Sequence, residues 1–576
     1  MLARLGTILP HREEPAVTDQ PAPVPPADPG APAAPAAPAA PEAKAAKAAP
    51  SGSKTGAAAA DKIAAGYAFA GEALEFGTVI IDGTAYPEAR IRVPLSMMNR
   101  HGLIAGATGT GKTKTLQGLT EQLSAAGVPV VVADIKGDLS GLAQPGASNA
   151  KIAQRSTDTA DTGWAPTAFP VEFFALGGVG SGIALRATMT SFGPTLLSKI
   201  LGLNSTQESS LNLVFHYADQ AGLALLDLKD LRAVIQFLVG DEGKADLAQL
   251  GGLSSSTAGV ILRDLIGLED QGGDQFFGEP EFETSDLLRT GSDGRGIVSS
   301  IELANLQDRP QLFSTFLMWL LADLFHELPE VGDVDKPKLV FFFDEAHLLF
   351  DGASKAFLDA VTQTVRLIRS KGVGIFFVTQ NPTDVPDAVL GQLGNRVQHA
   401  LRAFTPDDAA ALAKAVKTYP KTKDYDLAEA LQQLGTGEAV ITVLSESGAP
   451  TPVAWARMRA PRSLMAQIDP AAQQQAIAAS PLQPKYGQLV DRDSAYEKLT
   501  ARLAPPPAAG GPAPPAPSSP SSPSAAGPKP SGKPAKDQPS AVETVLRSSA
   551  FKSFARSAAT VLGREITRGI FGTRRR

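Results

Sequence analysis

One stretch, Gly106-Ala-Thr-Gly-Thr-Gly-Lys-Thr113, limits the folds open to this chain more than any other. It has the G-x-x-x-x-G-K-[ST] spacing of a phosphate-cradling loop, in which glycines let backbone N–H groups turn inward around an anion. Its surroundings fit. His101-Gly-Leu-Ile-Ala105 is a short apolar run suited to a buried strand, and Thr115 to Ala126 has helical spacing with only Gly118 as a breaker. A strand, this loop and a helix N-terminus place partial positive charge at the phosphates. The loop residues Gly106, Ala107, Thr108, Gly109, Thr110, Gly111, Lys112 and Thr113 are therefore the candidate nucleotide-binding set. Within it Lys112 would reach the β- and γ-phosphates of ATP, and the Thr113 hydroxyl would ligate Mg²⁺.

Such a loop needs a partner that handles metal and water. Lys338-Leu-Val-Phe-Phe-Phe-Asp-Glu-Ala-His347 is an apolar run ending in two carboxylates, the pattern of a parallel strand buried on both faces. In an open α/β sheet ligands bind at the C-terminal edge of the strands, so loop and acidic pair should face one crevice. Asp344 would then hold Mg²⁺, and Glu345 would orient and deprotonate the water that attacks the γ-phosphate. An Asp-Glu pair in this place can also simply cap the next helix. Gly374-Ile-Phe-Phe-Val-Thr-Gln-Asn381 is another buried strand with a polar tip, where Gln380, or Thr379 in its place, would contact the γ-phosphate or the attacking water.

The rest of the chain supplies the alternation that a parallel sheet requires. Ala73 to Gly83 and Tyr86 to Pro94 read as two strands around an Asp-Gly turn, a short β-element over 66–100. Val128 to Asp134 is the next strand. It is followed by Lys136 and Asp138, which lie near the same crevice unless they only build the turn. Strand character spans Phe173 to Thr188, and apolar residues at i, i+3, i+4 in Thr206–Phe215 and Leu228–Leu238 indicate a helical insertion over about 190–270. Gly296–Glu302, a helix at 310–327, the acidic strand, a helix at about 353–370 and the polar-tipped strand then imply parallel pairing with right-handed crossovers. The nucleotide domain so defined covers 101–465, with a helical extension over 466–503.

Composition bounds the remainder. Residues 1–65 are rich in Ala and Pro, and 504–545 in Pro, Ser and Ala; such segments bury too little apolar surface to offset chain entropy and read as disordered. With no cysteine there are no disulfides, thiolate metal sites or cysteine nucleophiles. The six histidines, at 11, 101, 216, 326, 347 and 399, lack zinc spacing, so the expected metal is Mg²⁺. No export signal is apparent, and the apolar segment Leu312–Phe325 is shorter than a membrane span, which makes it a core helix and the protein cytoplasmic. The net charge of −6 hides a segregation. Leu546 to Arg576 holds eight basic residues against the single acid Glu565, and its apolar residues recur at three- and four-residue steps. This basic amphipathic helix at 546–576 could bind DNA phosphates, rest on an anionic membrane surface or dock onto the chain itself.

Together Asn99–Thr113, Ala133-Asp-Ile-Lys-Gly-Asp138, Phe342-Phe-Asp-Glu-Ala-His347, Gly372–Pro382 and Leu393-Gly-Asn-Arg-Val-Gln-His-Ala-Leu-Arg-Ala-Phe-Thr-Pro406 resemble the HerA and FtsK class of RecA-like P-loop ATPases, nearest to the bacterial HerA-like helicases. The resemblance implies an α/β RecA-like P-loop NTPase fold with a mostly parallel central sheet, a helical insertion, and an ATP-hydrolysing ring, a homo-hexamer, that translocates DNA. The alternative is a nucleotide-gated ATPase that remodels a protein or membrane partner. In such rings a neighbour's arginine stabilises the transition state; Arg369 is the first candidate and Arg396 the second, with Arg366 also on the same helix. Archaeal HerA carries an N-terminal barrel of about a hundred residues, longer than the ordered-looking stretch that precedes the loop here. That departure weakens the case for a NurA-type nuclease partner.

Overall fold

The computed structural model describes residues 54–303, 309–351 and 353–503. Twelve strands among them form one sheet in the order β2-β1-β12-β11-β10-β3-β9-β8-β4-β7-β5-β6. They are β1 (Ala73–Ile81), β2 (Thr84–Pro94), β3 (Gly102–Ala105), β4 (Val130–Asp134), β5 (Val171–Leu176), β6 (Ile183–Leu185), β7 (Val298–Glu302), β8 (Leu339–Phe343), β9 (Val373–Thr379), β10 (Asn395–Gln398), β11 (Glu438–Thr442) and β12 (Ala454–Met458). From β10 to β6 every pairing is parallel, and from β10 through β11, β12 and β1 to β2 every pairing is antiparallel. The mostly parallel α/β sheet expected from the apolar runs is therefore present.

Its two faces are sealed by different partners, because successive strand residues point to opposite sides. Val131, Ala133, Phe341, Phe343, Ile375 and Phe377 enter one core with Leu317, Trp319 and Leu324 of the helix Pro310–Glu327. Val130, Val132, Val340, Phe342, Phe376 and Val378 enter the other, against Leu116, Leu119 and Leu123 of the helix after the glycine-rich loop. The segment Leu312–Phe325 is thus core, and no helix among the described residues is long and apolar enough to cross a membrane.

The helical insertion lies between β6 and β7, with helices Met189–Ile200, Ser205–Gln220, Leu228–Val239, Lys244–Leu250 and Ser255–Asp270. Asn204 with Gln207 and Asp227 with Asp230 form reciprocal capping boxes at two of their starts, each satisfying N–H groups that a helix leaves open. Helices Pro470–Ala479, Gln483–Tyr486 and Ala495–Leu503 make up the extension, and Asp230 fastens its last helix to the insertion by accepting from the Tyr496 N–H at 2.8 Å.

The N-terminal side departs from expectation twice. Residues 54–65, placed by composition in a disordered segment, form helix α1 (Lys54–Ala65). Alanine is the best helix former, and here one face is also covered: Ala60, Ile63 and Tyr67 are buried on the hairpin, and the Tyr67 hydroxyl donates to the carbonyls of Ile441 (3.0 Å) and Pro452 (2.6 Å). The β-element at 66–100 is not a separate module. Its hairpin turns at Asp82-Gly83, both at positive φ as the tight primed turns require, and pairs through Gly77–Val79 with β12 as the end of the main sheet. The basic segment 546–576 and the linker 504–545 lie outside the described residues. If α1 is an integral layer, Ile63→Ala will cost about 2–4 kcal/mol in chemical denaturation, as for a core aliphatic. A cost under about 0.5 kcal/mol would mark the helix as peripheral.

Candidate active site

The C-terminal ends of β3, β9, β8 and β4 lie side by side, and each delivers one part of the crevice. After β3 the chain leaves the sheet as the glycine-rich loop. Gly106 N–H donates to Thr379 O (3.2 Å) and Ala107 N–H to Ala400 O (2.8 Å), so the loop is suspended between the ends of β9 and β10. Gly106, at φ 152°, admits no side chain: a Cβ there would lie 2.5 Å from His399 Cβ. Gly111, at φ 120°, turns the chain into helix α2 (Lys112–Ala125) and would bring a Cβ to 3.2 Å from Gly437. Thr110 closes the loop through its hydroxyl, which donates to Ala107 O at 2.7 Å.

Lys112 is buried, and its Nζ donates to Gly106 O (2.7 Å) and Ala107 O (3.4 Å), carbonyls at the base of the loop. Burial lowers its pKa, while the nearby Glu345 and Asp344 pull it back up. Thr113 stands beside it in the first turn of α2, half-buried.

β8 ends at Phe343 and hands Asp344 and Glu345 to the crevice. Asp344 is buried, and burial followed by the charge of Glu345 pushes its pKa up to about 6. Its Oδ2 has no hydrogen-bond partner among the described residues. Glu345 takes left-handed backbone geometry (φ 48°), uncommon for a residue with a Cβ and a sign that its direction is imposed. Its Oε1 is ion-paired with Lys136 Nζ, whereas its Oε2 has no hydrogen bond among the described residues, His347 Nδ1 standing 3.3 Å away. Burial works against the Glu345 charge, but the Lys136 bond and charge, with His347 and Lys112 behind them, hold its pKa below the ordinary value.

Lys136 comes from the turn after β4, the strand next to β8. Asp134 builds that turn, accepting N–H groups from Gly137 (2.7 Å), Leu139 (2.9 Å) and Lys136 (3.2 Å). It is a fully buried carboxyl raised to about 7 by desolvation, with Asp138 and Asp344 adding repulsion that the N–H bonds partly offset. Of the three residues expected near this edge, Asp134 shapes the turn and Lys136 reaches the acidic pair. The Asp138 Oδ1 has no hydrogen-bond partner among the described residues.

At the tip of β9 the two polar candidates separate. Thr379 is buried, and its hydroxyl donates to Asp384 Oδ2 (2.6 Å), which also accepts the Asn381 N–H (2.9 Å) in a capping box over Pro382–Asp384. That commits Thr379 to the turn and leaves Gln380, exposed and the first residue past β9, as the remaining polar candidate. The arginines lie elsewhere. Arg369 caps the end of helix Lys355–Ile368 near the start of β9, the opposite edge of the sheet, about 20 Å from that strand's tip, and pairs with Asp333 at 3.7 Å. Arg396 lies on β10 beside Leu103, half-buried and donating to Leu390 O at 3.3 Å; burial lowers its pKa. Neither reaches the crevice of its own chain.

The glycine-rich loop, the Asp344-Glu345 pair and the tip of β9 are therefore brought together as the motifs implied. The Lys136–Glu345 ion pair was not foreseen. Its only sequence signal is a lysine two residues past a strand-terminal aspartate, and it becomes meaningful only once β4 is known to neighbour β8. The donor set suits Mg²⁺ with a nucleotide: a hydroxyl at Thr113 and an unpartnered, buried carboxylate oxygen on Asp344, both hard oxygen ligands.

Among solved structures the chain is similar to the bacterial conjugative coupling protein TrwBdeltaN70 in an unbound form, with 14% identity and a TM-score of 0.46 over 71% of this chain and 95% of that one. It is also similar to the plasmid coupling protein TrwB in complex with ADP and Mg²⁺ (13%, 0.47, 70% and 99%) and to VirB4 of Thermoanaerobacter pseudethanolicus (14%, 0.42, 68% and 97%). No curated protein matches the sequence. The model of the family described as "Helicase HerA-like C-terminal" matches residues 80–576, most of the sequence, and the chain belongs to that family.

Proposed function

We propose that this chain hydrolyses ATP to ADP and phosphate in the crevice at the C-terminal edge of β3, β9, β8 and β4, and that it does so as a ring-forming motor on DNA. One observation carries the chemistry: Glu345 has one carboxylate oxygen fixed by Lys136 and the other without a hydrogen bond among the described residues, with His347 Nδ1 3.3 Å away, beside a lysine that is held in a glycine-rich loop. A base restrained in this way is aimed without being blocked. The loop N–H groups and Lys112 bind the β- and γ-phosphates, with Lys112 exchanging the Gly106 and Ala107 carbonyls for phosphate oxygens. Glu345 Oε2 accepts the proton of a water molecule as its oxygen bonds to the γ-phosphorus and the bond to the β-phosphate oxygen breaks. Gln380, the residue just past β9, would hold that water or a γ-phosphate oxygen. Thr113 and Asp344 would hold Mg²⁺, which when bound neutralises phosphate charge.

Family membership supports the assembly and DNA reading. Arg369, part-exposed on the opposite edge of the sheet, is the better candidate for reaching a neighbour's site, because Arg396 is engaged with its own backbone. Three measurements test the motor. Glu345→Gln will cut turnover about 10²–10³-fold while ATP binding is retained. Rings mixed from Glu345→Gln and Arg369→Ala subunits will regain turnover, since each supplies what the other lacks; mixtures as inactive as the separate variants sink the role of Arg369. Single- or double-stranded DNA will raise the ATPase rate at low salt, with the effect fading as salt rises. An unchanged rate with no DNA binding would leave a remodelling ATPase acting on another partner.

The lysine role has its own pH signature. Lys136 holds the Glu345 pKa down, so Lys136→Met raises it, and a base that works deprotonated then loses activity at a higher pH. The acid limb of the kcat profile will move upward, and turnover at pH 7 will fall at least about tenfold as the carboxylate loses its anchor.

A further inference from the structure

His399 is the first residue past β10 and is fully buried behind the glycine-rich loop. Its backbone N–H donates to Ala105 O (2.7 Å), and Ala400 O accepts from the Ala107 N–H (2.8 Å), so it lies level with the point where the loop leaves β3. Its side chain touches both ends of the loop. A Cβ at Gly106 would meet His399 Cβ at 2.5 Å, and one at Gly111 would meet His399 Cε1 at 3.5 Å.

The imidazole also joins two elements that flank the loop. Nδ1 is 2.8 Å from Glu438 O at the start of β11, and Nε2 is 2.9 Å from Thr115 Oγ1 in the first turn of α2. A carbonyl can only accept, so Nδ1 carries the proton, and the bare Nε2 must accept from the Thr115 hydroxyl. One tautomer satisfies both bonds. Burial holds the ring neutral, its pKa lowered to about 4. Just before Glu438, the Gly437 N–H donates to Thr110 O at 2.8 Å, and Arg155 on the helix Ala150–Asp158 donates to Gly437 O (2.9 Å) and Thr436 O (3.1 Å). The segment that accepts from the imidazole is therefore braced, and is itself bonded to the loop.

We propose that His399 is a positioning residue of the phosphate-binding loop, its Nδ1–H and bare Nε2 tying Glu438 to Thr115 so that the Gly106 and Gly111 hinges stay set for phosphate. This rests on the reading of the crevice as an ATP site. The imidazole touches neither phosphate nor water; it acts by keeping the loop ordered before ATP arrives, which spares binding the cost of ordering it. Its loss should therefore weaken ATP binding far more than it slows the chemical step.

Thr115→Val keeps the side-chain shape and removes the hydroxyl proton that Nε2 accepts, without disturbing the buried ring. In the full-length protein it will raise KM for ATP and the Kd of a fluorescent ATP analogue about tenfold, with kcat within about threefold of the parent. Thr115→Ser, which restores the donor, will recover most of the loss. His399→Asn, which keeps an N–H toward Glu438 but offers nothing to Thr115, will give a similar rise, and combining it with Thr115→Val will add little. An unchanged KM in Thr115→Val, or a lowered Tm as its sole effect, overturns the positioning role while the parent's hydrolysis still supports the ATPase reading. A parent protein that fails to bind ATP overturns both.

Discussion

The crevice depends on the parallel register of four neighbouring strands. Ala105 is opposite Thr379, Phe343 opposite Phe377, and Ala133 opposite Phe343, so β8 leaves the sheet two residues short of the level at which β3 and β9 end, and all four strands turn out at the same edge. A slip of one residue in β8 would exchange its two faces, sending Phe342 toward the core that now receives Phe341 and Phe343. It would also withdraw Asp344 and Glu345 from the loop. Packing on both faces is therefore what positions the acidic pair, and the geometry of the crevice inherits its precision from apolar contacts on either side of the sheet.

That placement has an electrostatic consequence. Asp134, Asp344 and Glu345 are all buried at one edge, with Asp138 close by, and the lysines facing this cluster are Lys112, Lys114 and Lys136. The strain is unequally shared. Burial raises both pKa values, but Asp134 is met by three backbone N–H groups and serves the turn, whereas Asp344 keeps an oxygen with no hydrogen-bond partner among the described residues. A buried carboxylate lacking a partner is costly unless something binds it, and a divalent cation is the ligand that such an oxygen suits. Glu345 is different, because Lys136 keeps it charged where burial alone would favour the acid. Two adjacent carboxylates thus acquire distinct chemistry from their second neighbours.

Much of this was legible in the sequence because the informative signals are local. The apolar runs ending in Asp344-Glu345 and Thr379-Gln380 declare parallel strands with polar tips, and the glycine spacing declares the loop between strand and helix. What remained hidden depends on strand order or on distant contacts. The Lys136 partnership requires β4 beside β8, and the choice between Thr379 and Gln380 turns on Asp384, whose carboxylate takes the threonine hydroxyl. Helix α1 was missed for another reason. An Ala-rich segment reads as disordered when composition is averaged across the prolines before it, yet Ile63 and Tyr67 are enough to anchor it to β1 and β2.

The antiparallel end of the sheet gives the glycine-rich loop a support that its motif does not encode. β10 continues the ladder of β3, β11 turns back beside β10, and the residue before β11 bonds to Thr110. The loop is consequently gripped from two sides, by Thr379 O on the acidic side and by Ala400 O and the Gly437 N–H on the antiparallel side. A conformational change in either half of the sheet would alter one of those grips, since each runs through main-chain atoms at a strand end. In a motor this is a route by which movement around one site reaches phosphate affinity without passing through the acidic pair, and it needs no element beyond the ladder itself.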